Sequence, residues 1–117
     1  MDDNDSEYSI PDEDKRKFPR VELVTKVRYS VMGENIKIDT KSKDISLGGI
    51  CILSDKPAEK NIVVDIKFIL PNKMIIEAIG RVAWCKQIYY SGEFEIGIEF
   101  MKIFGNHLEK LKKYIIE

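Results

Sequence analysis

From Val21 onward, apolar and polar residues alternate. Val21, Leu23, Val27, Tyr29 and Val31 fall on odd positions with Glu22, Lys26, Arg28 and Ser30 between them, which is the period of a half-buried strand. Met32-Gly33-Glu34-Asn35 supplies turn chemistry, and Ile36 and Ile38 then begin a more polar strand that runs toward Lys43. A short strand is expected from Ile50 to Leu53. In the next, Ile62, Val64, Ile66, Phe68 and Leu70 share one face and Asp65 and Lys67 the other. Pro71-Asn72-Lys73 turns the chain into a strand from about Met74 to Gln87, whose apolar stretch places Trp84 in the core. After the Ser91-Gly92 turn, Phe94, Ile96, Ile98 and Phe100 alternate with Glu93, Glu95, Gly97 and Glu99.

Six strands joined by short turns, each with one apolar face, protect their edges most economically by closing into a small antiparallel β-barrel over about residues 21–101. The period then changes. Leu108, Leu111 and Ile115 recur at spacings of three and four, with Phe104 upstream, so an amphipathic helix is expected over about residues 106–116. Asn106 suits its N-cap and Glu109 an Asn version of the capping box, while Lys110, Lys112 and Lys113 complement the negative end of its dipole. The expected role of this helix is a lid over one barrel end.

Composition adds an asymmetry that the formal net charge of -1 conceals. Residues 1–14 contain seven acids and no Lys or Arg; removing those seven from the total of 20 leaves 13 acids against 19 basic residues, so residues 15–117 carry about +6. The acidic stretch, poor in apolar side chains, is expected to be a flexible tail, and the remainder one basic domain. A basic surface suits an anionic partner. No apolar run approaches a membrane span and no secretory pattern opens the chain, which together point to the cytoplasm and to no membrane insertion. Cys51 and Cys85 form no C-x-x-C pair and are expected to be reduced and mostly buried. His107 is the only histidine and has no nucleophile, metal cluster or phosphate loop beside it, so neither an enzyme nor a metal site is expected.

Two short elements carry the candidate chemistry: Arg16-Lys17-Phe18-Pro19-Arg20 and Asp44-Ile45-Ser46-Leu47-Gly48-Gly49. Arginine presents a rigid fork of donors that fits a phosphate or the O6/N7 edge of guanine, and a carboxylate accepts from guanine N–H groups. Pro19 disfavours helix, and in an extended segment Arg16 and Arg20 would point to one side about 13 Å apart. Taken alone, the second element reads as a turn in which Asp44 and Ser46 bond nearby backbone and Gly48 or Gly49 takes a positive φ. In this order and spacing, R-x-x-x-R followed by D-x-S-x-x-G resembles the signature of the PilZ domain family, bacterial receptors for cyclic di-GMP. Gly92 to Phe100 is also similar to the family's closing strand.

The resemblance implies a six-stranded antiparallel barrel followed by a helix, with the domain spanning residues 15–117. It further implies that Arg16 and Arg20 hold guanine edges and phosphates, that Asp44 and Ser46 bond a guanine, and that Gly49 allows close approach. Lys15 is a candidate for accommodating a second ligand molecule, and Gly48 makes the loop more permissive. No cofactor is implied beyond cyclic di-GMP as ligand, and the output would pass to a downstream protein of a motility, exopolysaccharide or related pathway. Two alternatives stand beside this reading: a protein-interaction module whose ligand site is unused, and a barrel that stacks single-stranded nucleic acid on aromatics such as Trp84, Tyr89 and Tyr90. Nucleic acid is the less expected partner.

Overall fold

Inward-facing isoleucines, valines and phenylalanines close the strands into a ring. The computed structural model describes residues 7–8 and 19–116. Its strands are β1 (Glu7–Tyr8), β2 (Val21–Glu22), β3 (Lys26–Val31), β4 (Ile38–Ile45), β5 (Gly49–Ser54), β6 (Val63–Ile69), β7 (Ile75–Gln87) and β8 (Phe94–Phe104), followed by helix α1 (His107–Ile116). Pairing is antiparallel throughout, and the circuit β3-β4-β5-β8-β7-β6 returns to β3, giving a closed six-stranded barrel. Closure leaves the six barrel strands without a free edge. The expected barrel and C-terminal helix are both present.

The core follows the alternation: Val27 and Tyr29, Val64, Ile66 and Phe68, Ile76 and Ala78, and Ile96, Ile98 and Phe100 are buried. Phe68 and Phe100 stack across the interior with ring centroids 6.1 Å apart. Leu108 and Leu111 of α1 are buried in the same core, and the His107 Nδ1 accepts a 3.0 Å hydrogen bond from the Glu77 backbone N–H, fixing the start of the helix to β7. The Lys110 N–H donates to the Asn106 carbonyl at 3.2 Å, in keeping with Asn106 as the residue that precedes the first helical turn.

Two departures from the sequence pattern shape the site. The first expected strand is broken into β2 and β3 by an irregular bend over Leu23–Thr25, where the Leu23 N–H still donates to the Lys43 carbonyl at 3.1 Å and the Thr25 carbonyl accepts from the Ser42 N–H at 2.9 Å. Ser42, fully buried, stitches the bend: its Oγ accepts from the Thr25 N–H at 3.1 Å and its hydroxyl donates to the Leu23 carbonyl. The second departure concerns the acidic stretch, where Glu7 and Tyr8 form a strand paired with Phe104 and Ile103 of β8. The other residues of the expected 1–14 tail lie outside the described residues.

Candidate functional site

Two bulges build the outer face on which the site lies. Along β4, Ser42 is buried inside, yet so is Ile45 three residues later; the register shifts between Ser42 and Asp44, and the extra residue turns Asp44 outward. Along β7, Ile76, Ala78 and Val82 point inward, but a register shift between Val82 and Trp84 reverses the phase, so Trp84 faces out and Cys85 packs against the core. Trp84 is 39% exposed, which corrects its expected place in the core. The cause is the single inserted residue, since one extra position in a strand exchanges its faces.

The ladder then sets Asp44, Cys51, Gly97 and Trp84 side by side on β4, β5, β8 and β7. At about 4.8 Å per strand this row is roughly 14 Å wide. Gly97 is the floor on which the indole lies: a Cβ there would overlap Trp84. In the adjacent row Gly49 sits opposite Glu99, and a Cβ on Gly49 would meet the Ile98 backbone carbonyl. Neither Gly48 nor Gly49 has a positive φ, contrary to the turn expectation. Gly49 is required instead because two backbones approach too closely for any side chain.

Arg20 reaches this face from the residue before β2, whose Val21 and Glu22 pair with Ile45 and Asp44. Its Nη1 donates to the Asp44 carboxylate at 2.6 Å, with the Arg20 side chain 57% and Asp44 20% exposed. Arg20 of the first motif and Asp44 of the second are thereby brought together. Ser46 is buried and organises the loop: its Oγ accepts from the Gly48 N–H at 3.1 Å, and its own N–H donates to the Gly49 carbonyl at 2.9 Å. The Gly48 carbonyl accepts from the Phe100 N–H at 2.8 Å, tying the loop to β8. Lys15 and Arg16 lie outside the described residues.

These groups line a shallow cleft of about 160 Å³ formed by Arg20, Ser46, Gly48, Gly49, Trp84, Gly97 and Glu99. Its rim is polar. The Arg81 guanidinium donates to Glu99 at 2.7 Å on one side, and Lys43 donates to Glu95 at 2.8 Å on the other. The Lys43 ammonium holds the Glu95 carboxyl below the usual glutamate value, while burial, then the charges of Asp44 and Glu95, push the Cys51 thiol up to about 11. The raised value favours the neutral thiol of Cys51, which is buried beside Gly97. Among the described residues no cluster of His, Cys, Asp and Glu could hold a metal ion, and no helix is long and apolar enough to cross a membrane.

The family model of the PilZ domain matches residues 14–117. The chain belongs to the PilZ domain family. No curated protein matches it in sequence. Among solved structures, the inhibitor of motility (MotI/DgrA) of Bacillus subtilis is similar at a TM-score of 0.75 and 23% identity over 86% of this chain, which spans about half (49%) of that protein. The PilZ domain of YcgR from Escherichia coli, solved with c-di-GMP, is similar at a TM-score of 0.57 and 17% identity, covering 86% of this chain and 88% of that one. The PilZ domain of CeSA from a cellulose-synthesizing bacterium gives a TM-score of 0.56 at 14% identity, covering 84% and 95%. These likenesses agree with the closed barrel and its terminal helix.

Trp84, Gly97 and Glu99 are among the members of this cleft that the two sequence motifs did not name. A signal existed: a tryptophan and a glycine on neighbouring antiparallel strands are a common way to seat a flat ring on bare backbone. Locating them in register, however, requires both the pairing and the bulge.

Proposed function

We propose that this PilZ domain is a receptor for cyclic di-GMP and that it signals by conformation, without catalysis, to a protein partner. The observation that carries the reading is the convergence, in one cleft, of Arg20, the Asp44–Gly49 loop and an outward-facing indole laid over Gly97. Each part has a matching chemical task. Arg20 supplies the bidentate donor for a guanine edge or a phosphate, Asp44 the acceptor for guanine N–H groups, and Trp84 a face for stacking a base. Gly49 lets the ligand reach backbone, and the Ser46 hydroxyl holds the loop in shape for it.

Without ligand, Arg20 and Asp44 satisfy each other. A guanine entering between them exchanges that exposed ion pair for one contact with each partner, a small loss against two charge-assisted hydrogen bonds. The 160 Å³ cleft is smaller than the roughly 300–1,000 Å³ of a site that encloses a small ligand. The remaining ligand contacts are assigned to Lys15 and Arg16, which precede Arg20 in the chain and lie outside the described residues, and the exchange of the Arg20–Asp44 pair for ligand contacts is the proposed start of the signal. Residues 15–117 form the receptor domain in this reading, and the acidic residues 1–14, of which Glu7 and Tyr8 pair with β8, modulate it.

Isothermal calorimetry with cyclic di-GMP, using GMP and cyclic GMP as controls, tests the proposal. Saturable binding specific to the dinucleotide, weakened by added salt, is expected. Heat indistinguishable from dilution at high ligand concentration would leave an interaction module with an unused cleft.

A further inference from the structure

The side of the barrel opposite the cleft carries an arrangement that neither folding nor cyclic di-GMP requires. On the outer surface of β4, β3, β6 and β7, register places Asp39, Arg28, Lys67 and Glu77 in one row. This row is balanced: Arg28 pairs with Asp39 at 2.7 Å and Lys67 with Glu77 at 3.5 Å. The row beside it is not. Lys41 and Lys26 stand directly opposite each other, Lys26 and Ile69 lie one step beyond the paired Val27 and Phe68, and Ile69 faces Ile75. Among the described residues neither lysine reaches ion-pair distance of a carboxylate.

Directly opposed like charges destabilise a sheet, and the two isoleucines beside them are 40% and 44% exposed. Val24, 73% exposed, adds to the apolar end, next to Thr25, whose hydroxyl donates to the Ile69 carbonyl at 2.6 Å. A groove of about 520 Å³ on this surface is lined by Lys26, Arg28, Asp39, Thr40, Lys67 and Ile69, with the Asp39 charge offset by Arg28 and with Lys41 and Ile75 outside its lining. We infer that this face docks an acidic, aliphatic segment of a partner protein, with carboxylates on Lys26 and Lys41 and aliphatic side chains on Ile69 and Ile75. The row spans about 14 Å, the reach of four to five extended residues. β3 and β6 have partners on both sides, so the contact is made by side chains rather than by strand addition. A protein segment fits better than nucleic acid, because the apolar groups here are aliphatic and offer no ring for base stacking. The inference stands independently of what the opposite cleft binds.

The test is a titration followed by amide and isoleucine-methyl NMR, with a short capped peptide of a glutamate pair followed by a leucine pair as the probe. Saturable shifts confined to Lys26, Lys41, Ile69 and Ile75 are expected, with affinity falling roughly tenfold in the Lys26→Glu/Lys41→Glu double variant. That variant, changed only at exposed positions, should keep the native amide spectrum and its response to cyclic di-GMP. Absence of shifts at these residues up to the peptide's solubility limit overturns the inference, as does equal binding by the double variant. Tighter binding of an oligothymidylate at the same residues would overturn it in favour of nucleic acid. Self-association of the protein alone that the double variant abolishes would overturn it in favour of a second copy.

Discussion

The β5/β8 face and the β3/β6 face of one barrel solve opposite problems. On the first, Gly49 and Gly97 remove side chains so that backbone and an indole ring form a floor, and the charged groups stand at its margin. On the second, outward positions keep their side chains, and the hollow is bounded by Lys26, Arg28, Asp39, Lys67 and Ile69. A floor of bare backbone suits a flat, rigid ligand that must come close; a groove between long side chains suits a flexible segment that brings its own. The faces share a core, so each can be perturbed alone only by residues that do not reach it.

The largest expected effect removes that shared support. Phe100→Ala deletes one of the two stacked rings and should cost about 3–5 kcal/mol in urea unfolding, disturbing both faces; a loss below about 1 kcal/mol would mean that the faces are held independently. Next come the glycines. Gly49→Ala forces a methyl against the Ile98 carbonyl, which cannot swing aside, and about 3 kcal/mol is expected. Gly97→Ala meets the Trp84 ring instead, which can move, so about 1 kcal/mol and a shift in the emission of the only tryptophan are expected. Equal costs would show that the indole is as fixed as backbone.

Arg20→Ala should lower cyclic di-GMP affinity at least tenfold, read by calorimetry, while changing unfolding by no more than about 0.5 kcal/mol, since the ion pair it removes is exposed. A large stability loss would make Arg20 structural. The smallest effect is electrostatic. Glu95 is held below its ordinary 4.5 by Lys43, so its contribution is complete above that pH and is lost as pH falls below it. Lys43, raised above 10.5 by Glu95, contributes fully below 10.5 and loses that contribution as pH rises. Lys43→Met should flatten the acid side of the stability profile. Cys51, with its thiol raised from 9.0 to about 11, should resist iodoacetamide at pH values where an exposed thiol reacts, and stability should fall as pH rises past 9.0.

Much of this molecule was legible in its residues. Alternation located six barrel strands, since a half-buried strand must show one apolar face, and the change to a spacing of three and four located α1. Of the residues the motifs named, Arg20, Ser46 and Gly49 line one cleft and Asp44 pairs with Arg20 beside it; Lys15 and Arg16 lie outside the described residues. Two things were decided only in three dimensions. The outward turn of Asp44 and Trp84 depends on one extra residue in β4 and one in β7, and a bulge exists only relative to a partner strand that sequence alone does not specify. The opposed pair Lys26 and Lys41, 15 positions apart in the chain, likewise becomes a like-charge contact only when register aligns them. Sequence determined which faces are apolar, because burial is a property of each residue; tertiary structure decided which residues share a face, because that is a property of pairs.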